Sequence, residues 1–291
     1  MGVCNQRTVV ITGAGGGLGR AYALAFAQEG ANVVVNDIRA EAAQAVVDEV
    51  KQAGGQALAN SGDITTMAGA QSILDAAVAA FGDVHVLVNN AGVLRDRMFL
   101  SLSEEDWDTV MRVHLRGHFC MGSTFGRYWR DQKKAGKAVD ARIINTSSGA
   151  GLQGSIGQSN YVAAKGGIAS LTLVQAAELA RYGITVNSLA PAARTSMTEG
   201  AMPEMVKKPE SGFDVWDPMN VASIVVWLGS PLSQHVTGRC FEAKGGEISV
   251  ADGWFTGKIK DKQARWEPSE LTEVVNALVA EGRTPQKVYG T

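Results

Sequence analysis

The feature that most constrains the fold is an alternation of two patterns. Short apolar runs, several of them β-branched, alternate with longer helical stretches along most of the chain. The runs fall at 7–12 (RTVVIT), 32–36 (NVVVN), 56–60, 85–90 (HVLVNN), 141–147 (ARIINTS), 184–190 (ITVNSLA) and near 239–243. Helical patterns fill 18–29, 40–53, 66–80, 104–134, 158–182 and 219–229. Most runs are apolar at consecutive positions, which suits strands buried on both faces. Strands separated by helices pair in parallel through right-handed crossovers. The expected fold is therefore α/β: one doubly wound parallel sheet of about seven strands with helices on both faces.

No Pro/Ser-rich linker divides the chain, so residues 1–250 are expected to form one domain and 251–291 an extension. That extension carries Trp254, Phe255, Trp266 and Tyr289, and the stretch 268–281 sets Leu271, Val274, Val275 and Leu278 on one helical stripe that must bury against something. It is expected to pack near the active site or on a neighbouring subunit. With 27 Lys+Arg against 29 Asp+Glu, there is no basic excess to bind nucleic acid. No stretch reaches the ~18 uncharged apolar residues of a membrane helix. The opening MGVCNQRTVVITG lacks a signal-peptide core, and Gln6 stands where N-myristoylation needs Ser or Thr. Cys4, Cys120 and Cys240 are odd in number and have no metal spacing, which points to a reducing, cytoplasmic location and no bound metal. The triplet Asn145-Thr146-Ser147 ends an apolar run and is not expected to be glycosylated.

Glycine supplies 34 of 291 residues, and its densest cluster lies at the end of the first run: Thr12-Gly13-Ala14-Gly15-Gly16-Gly17-Leu18-Gly19. A glycine bend between a strand and a helix lets the backbone approach a pyrophosphate, and the helix N-terminus adds free N–H groups and a positive dipole end. The spacing T-G-x3-G-x-G departs from G-x-G-x-x-G and lacks the Gly-Lys-Ser/Thr of a P-loop. A merely flexible turn is the competing reading. Asp37 follows the second run, where a carboxylate can accept from both adenosine ribose hydroxyls and would repel a 2′-phosphate. That favours NAD over NADP, although Arg39 is near and Asp37 could instead cap a helix. Asp63 could cap the next helix or accept from the adenine amino group. Asn89-Asn90-Ala91-Gly92 ends the fourth run with small residues that would let a cofactor lie close.

Ser148, Tyr161 and Lys165 carry the chemistry. Tyr161 and Lys165 are four apart on one helix face, and Ser148 lies just past the C-terminal end of a strand, where open α/β sheets bind ligands. A phenol with an ordinary pKa of about 10 is a poor base at neutral pH. A nearby ammonium would favour the phenolate, and the serine hydroxyl could orient the substrate oxygen. Taken singly, each of these residues reads as packing or as a solvated charge.

Taken together, T-G-x3-G-x-G, N-N-A-G, Ser148 and Y-x3-K resemble the short-chain dehydrogenase/reductase family over about residues 5–250. The resemblance implies a Rossmann-type fold and a nicotinamide cofactor, with Tyr161 as general acid/base and Lys165 on the nicotinamide ribose. It places Gly13, Gly16, Gly17, Leu18, Gly19, Asp37, Asp63, Ile64, Asn90, Ala91, Gly92 and Thr195 around the cofactor. One departure is His114 in Val113-His114-Leu115-Arg116-Gly117, where the family usually has an Asn that serves a proton relay. A neutral histidine can donate and accept too; His114 reads equally as a relay member or as a satisfied core histidine. A second departure is Pro191-Ala192 in place of Pro-Gly.

RVHLRGHF (112–119), LAPAARTSMTEGAMPE (189–204) and GGEISVADGWFTGK (245–258) are similar to the dehydrogenase unit of peroxisomal multifunctional enzyme type 2 and its free-standing bacterial relatives. That implies oxidation of (3R)-hydroxyacyl-CoA to 3-ketoacyl-CoA with NAD by a homodimer or homotetramer. The alternatives are a 17β-hydroxysteroid or steroid-CoA dehydrogenase, a 3-oxoacyl-carrier-protein reductase, which Asp37 disfavours, and a silent dinucleotide-binding regulator, which the intact Ser148, Tyr161 and Lys165 disfavour. The end Tyr-Gly-Thr is not a peroxisomal address. Met197, Met202, Met205 and Met219 suggest an adaptable apolar pocket, with ordinary core filling as the alternative.

Overall fold

A computed structural model describes residues 2–201 and 203–291; Met202, one of the four methionines above, lies outside the described residues. Strands β1 (Thr8–Thr12), β2 (Asn32–Asn36), β3 (Gln56–Asn60), β4 (Val86–Asn89), β5 (Ala141–Thr146), β6 (Ile184–Ala192), β7 (Cys240–Lys244) and β8 (Glu247–Ala251) form one sheet in the order β3-β2-β1-β4-β5-β6-β7-β8. Pairing is parallel through β7, and β8 runs antiparallel on the edge.

The strands alternate because both faces are buried. Val9, Ile11, Val33, Val35, Val86, Val88 and Ile144 enter one core with α1 (Gly17–Gln28), α2 (Ala40–Gln52) and α9 (Pro218–Gly229). Val10, Val34, Leu87 and Ile143 enter the other with α3 (Met67–Phe81), α5 (Gly117–Lys134) and α7 (Ser159–Leu179). Full burial of an aliphatic or Phe side chain is worth ~1.5–3 kcal/mol, so these two layers are the main source of stability. Trp129 is the largest side chain in the second core, and its indole N–H donates to the Val84 carbonyl at 2.7 Å.

Three elements differ from the sequence reading. The eighth strand, 247–251, was not expected. Gly245-Gly246 turns the chain back with Lys244 opposite Glu247, and Gly245 has φ +54°, which glycine adopts freely. The single helix expected over 104–134 is α4 (Glu104–Met111), a π-turn (Arg112–Arg116) and α5. Two short helices, α6 (Gly149–Gln153) and α8 (Ser196–Ala201), lie in stretches to which the sequence pattern assigns no element. In the extension, α10 (Leu271–Glu281) buries no residue, and Val275 and Val279 of its apolar face stay exposed. No helix among the described residues is long and apolar enough to cross a membrane. Asn145 of the glycosylation triplet is fully buried within β5.

The strand order reverses between β1 and β4, and the glycine bend, Asn90–Gly92 and Ser148 lie beyond the C-terminal ends of β1, β4 and β5. The opposite edge is held by charge. Asp140 bridges Arg7 at 2.7 Å and Arg142 at 2.6 Å, tying the entries of β1 and β5. Arg142 is buried and also donates to the Ser230 carbonyl. Burial pushes the Asp140 carboxyl up, but the Arg7 hydrogen bond and the two positive charges outweigh this and hold it below the usual range. A carboxyl lowered in the folded state contributes stability above the unfolded value of about 4, and that contribution is lost as pH falls through the lowered value. Asp140→Asn should therefore lower the Tm at pH 7, and its deficit against wild type should shrink in thermal melts taken toward pH ~3. An equal deficit at both pH values would show that the carboxylate charge contributes nothing.

Candidate functional site

The glycine bend is locked from behind. Asn90 Nδ2 donates to the carbonyls of Thr12 at 3.0 Å and Gly13 at 3.2 Å. In return, Thr12 Oγ1 accepts from the N–H groups of Asn90 and Ala91 at 3.0 and 3.1 Å. A Cβ on Gly19 would lie 2.4 Å from the Gly13 oxygen and 2.7 Å from Asn90 Nδ2, and one on Gly13 would lie 2.7 Å from Ala91 Cα. These glycines are therefore fixed by close backbone approach. Gly16 differs: a Cβ there would meet nothing within 4 Å. It is the N-cap of α1, which has no side-chain cap and no acidic residue in its first turn. That open, positive helix end is a cradle suited to a pyrophosphate. Thr195 lies beside it, its methyl 3.4 Å from the place of a Cβ on Gly17. Leu18 turns away and packs part-buried on the first core.

Asp37 is buried and reaches the same bend, accepting from the Gly15 N–H at 3.0 Å and the Arg39 N–H at 3.0 Å. A Cβ on Gly15 would sit 2.8 Å from Asp37 Oδ2, so this glycine makes room for the carboxylate. The N-cap of α2 is Arg39, not Asp37, and the Arg39 guanidinium pairs with the Asp37 carboxylate at 3.3 Å. Asp63 accepts from the N–H and hydroxyl of Thr65 at 2.8 and 3.0 Å, while Thr66 caps α3. Asp63 is thus not the cap of that helix. Ile64 is buried in the second core against Gly117, where a Cβ would come within 2.9 Å of its Cδ1.

Ser148, Tyr161 and Lys165 come together beyond β5. Ser148 caps α6, accepting from the Ala150 N–H at 3.2 Å, and its side chain is near enough to Tyr161 to oppose the rise of the phenol. Lys165 is buried; its Nζ donates to the Thr146 carbonyl at 2.6 Å and lies 5.6 Å from the centre of the Tyr161 ring. Ser147, buried, donates to the Lys165 carbonyl at 2.9 Å and pins α7 to the end of β5. The sequence reading had the ammonium lowering the phenol. In the protein alone burial dominates: it pushes Tyr161 up, opposed by the Ser148 side chain, and pulls Lys165 down to about 7. Desolvation penalises the charged form of both groups.

His114 occupies the π-turn and is buried. Its ring stands edge-on to Tyr161 with centroids 5.3 Å apart, and its Nε2 meets the Val93 main chain at 2.8 Å (O) and 3.0 Å (N). Nδ1 is buried without a partner. Burial and the Lys165 charge push His114 down to about 3, so the ring is neutral at physiological pH. Gly92 exists for this ring: a Cβ there would lie 2.3 Å from His114 Cε1. The His114 carbonyl, which also takes the Gly117 N–H, accepts from His118 Nδ1 at 2.7 Å.

Among the sequence-derived residues, Asp37, Asn90 and Ala91 thus meet the glycine bend, Ser148, His114 and Lys165 gather at Tyr161, and Leu18 and Ile64 pack into the two cores. Sequence reasoning missed the Thr146 carbonyl, Ser147 and His118, whose parts depend on main-chain contacts that no residue type announces. At the end of the extension, Tyr289 has contacts that the sequence did not specify. Tyr289 pairs with the loop after α6, donating to the Gly154 carbonyl at 3.1 Å and accepting from the Ile156 N–H at 3.0 Å. Its hydroxyl rests against Gly149, 2.7 Å from where a Cβ would be.

Comparison with known proteins agrees with this geometry. Residues 7–206 match the family model described as short chain dehydrogenase. The chain is 42% identical over 295 residues to the hydroxyacyl-CoA dehydrogenase ChsB1 of Mycobacterium tuberculosis, covering 97% of this chain and 91% of that one. It is 40% identical to the peroxisomal multifunctional enzyme type 2 of Mus musculus over 90% of this chain but only 33% of that protein. The crystal structure of a short chain dehydrogenase from Mycobacterium avium superposes with a TM-score of 0.92 at 52% identity, each chain covered in full. With the match spanning most of the sheet and the serine, tyrosine and lysine in place, the chain belongs to the short-chain dehydrogenase family and is an oxidoreductase acting on CH–OH groups.

Proposed function

We propose that the protein oxidises (3R)-hydroxyacyl-CoA to 3-ketoacyl-CoA, and catalyses the reverse reduction, with NAD. The observation that carries the chemistry is the junction of Ser148, Tyr161 and Lys165 beside the glycine cradle. The substrate class is supported by the similarity to a free-standing relative named for hydroxyacyl-CoA.

The residues divide the work. Gly16, Gly17 and the first turn of α1 would hold the pyrophosphate, Asp37 the adenosine ribose and Lys165 the nicotinamide ribose, with Thr195 beside Gly17. The bound cofactor would supply the hydride acceptor. Ser148 orients the substrate oxygen, and the Tyr161 phenolate takes the hydroxyl proton; in reduction the phenol returns it. Water exclusion follows from burial of Lys165 and His114 behind the tyrosine. His114 holds the α4–α5 turn against Tyr161 as a neutral ring. Met197 and Met205 are exposed, which fits a pliable acyl wall, while Met219 packs on the first core.

Residues 1–250 act as the cofactor and catalytic domain, and 251–291 as an extension that edges the substrate site and joins subunits into a homo-oligomer. The exposed faces of α10 and β8 and the docked Tyr289 support this. Truncation after Gly257 should raise KM for the acyl substrate more than for NAD and lower the sedimentation coefficient. Unchanged KM and sedimentation would remove the extension from the site.

Two further outcomes follow from the named roles. Tyr161→Phe should cut turnover by about 10²–10⁴-fold while NAD still binds, because only the proton-transferring hydroxyl is lost. It should be assayed by nicotinamide absorbance on 3-hydroxyacyl-CoAs of several lengths, a steroid alcohol and a steroid-CoA; a preference for the steroids in the wild type would overturn the acyl reading. Asp37→Ala should move the ratio of kcat/KM for NAD over NADP downward by about tenfold or more, since two charge-assisted hydrogen bonds and a repulsion of the 2′-phosphate disappear. An unchanged ratio would show that Asp37 serves the Gly15 turn alone.

A further inference from the structure

The turn that carries Ser148 is too small to hold its own shape. Ser148 is the N-cap of α6, which runs only from Gly149 to Gln153 and ends at Gly154 with φ +88°. Its internal ties are few. The Ala150 N–H donates to Ser148 Oγ and the Leu152 N–H to the Ser148 carbonyl, each at 3.2 Å, and the Gly154 N–H donates to the Ala150 carbonyl at 2.8 Å. So short a helix is marginal by itself, and glycines within it add backbone freedom that folding must remove. The run Gly149-Ala150-Gly151-Leu152-Gln153-Gly154 therefore needs support from outside.

That support comes from two sides, and each glycine marks a contact. On one side α6 crosses α7, where a Cβ on Gly151 would lie 2.5 Å from Lys165 Cβ and 2.8 Å from the Gly166 nitrogen. On the other lies Val288-Tyr289 of the extension. A Cβ on Gly149 would lie 2.7 Å from the Tyr289 hydroxyl and 3.4 Å from its ring, and one on Gly154 would lie 3.3 Å from both methyls of Val288. Two residues apart in a helix, Gly149 and Gly151 point about 200° away from each other, so α7 and Tyr289 grip α6 on opposite faces. The main chain secures the outer grip. Ser155 and Tyr289 form a parallel bridge, in which the Tyr289 N–H donates to the Gly154 carbonyl at 3.1 Å and the Ile156 N–H to the Tyr289 carbonyl at 3.0 Å. Tyr289 is 48% exposed and belongs to neither core, so its ring adds little to the fold beyond this contact.

We propose that Tyr289 is a positioning residue: its ring, pressed on Gly149 and anchored by the bridge to Ser155, holds the first turn of α6 so that the Ser148 hydroxyl stays aimed at the substrate oxygen. This rests on the reading of Ser148 as the group that orients that oxygen. Tyr289 acts through Ser148, which directly precedes the glycine it presses on, and takes no proton itself.

Tyr289→Ala removes the ring and leaves the main-chain bridge. It should be assayed on whichever alcohol of the acyl-CoA and steroid set above the wild type oxidises fastest. Its kcat should fall about ten- to hundredfold, since a misplacement of about 1 Å at a reacting group can cost ~10²-fold. KM for NAD should not change, and Tyr289→Phe should keep the wild-type kcat. A double-mutant cycle separates positioning from general loosening: in a Ser148→Ala background, Tyr289→Ala should cost no more than about twofold further. Hydrogen–deuterium exchange gives a readout that needs no substrate. Uptake across residues 149–156 should rise in Tyr289→Ala and stay at the wild-type level in Tyr289→Phe. Wild-type kcat or wild-type exchange in Tyr289→Ala, or its full loss of kcat repeated in the Ser148→Ala background, would overturn this inference alone. A Ser148→Ala variant as active as wild type would overturn it together with the role given to Ser148.

Discussion

Everything at the functional end of this molecule hangs on one side-chain amide. Asn90 reaches from the end of β4 to two carbonyls of the β1–α1 bend, and Thr12 returns the favour with a single hydroxyl that accepts two N–H groups. The bond crosses the point where the strand order reverses, which is the one place where two neighbouring connections leave in opposite directions and open a crevice. A bend of glycines by itself is entropically costly to order. Here the order is imposed from outside, so Gly16 and the α1 N-terminus can stay bare. The same economy governs Gly15 and Gly92, which are small because Asp37 and the His114 ring occupy the space a side chain would need.

Behind the cradle, the dominant force is desolvation. Lys165, His114 and His118 are all buried, and burial pushes each toward its neutral form. Tyr161 moves the same way, upward. Four groups that all lean to neutrality keep little charge behind the cradle in the protein alone. The polar groups that remain are tied to main chain: Lys165 to Thr146, Ser147 to Lys165, His118 to His114. That wiring holds α7, the π-turn and the end of β5 as one rigid unit, which is what proton transfer between fixed atoms requires.

Much of this was legible in the residues. The parallel sheet followed from apolar runs buried on both faces, and the four-residue spacing of Tyr161 and Lys165 put them on one face before any coordinates. Other features left little trace. Gly245-Gly246 did mark a hairpin, but the strand after it faces solvent with Ile248 and Val250 and shows no buried run. The break of the long helix at Arg112–Arg116 has no Pro or Gly to announce it, because a π-turn is a main-chain accommodation to what the side chain must reach.

The sequence by itself determined the architecture, the family and the candidates for the reacting residues, since hydrophobic period and residue type are local properties that each run and motif carries within itself. Only the tertiary structure decided the electrostatic state of the site. Whether Tyr161 is lowered by an ammonium or raised by burial, and whether Asp37 caps a helix or braces a glycine, depend on distances between residues far apart in the chain. Coulombic and desolvation energies vary with those distances and with the water they exclude, and neither is written in spacing.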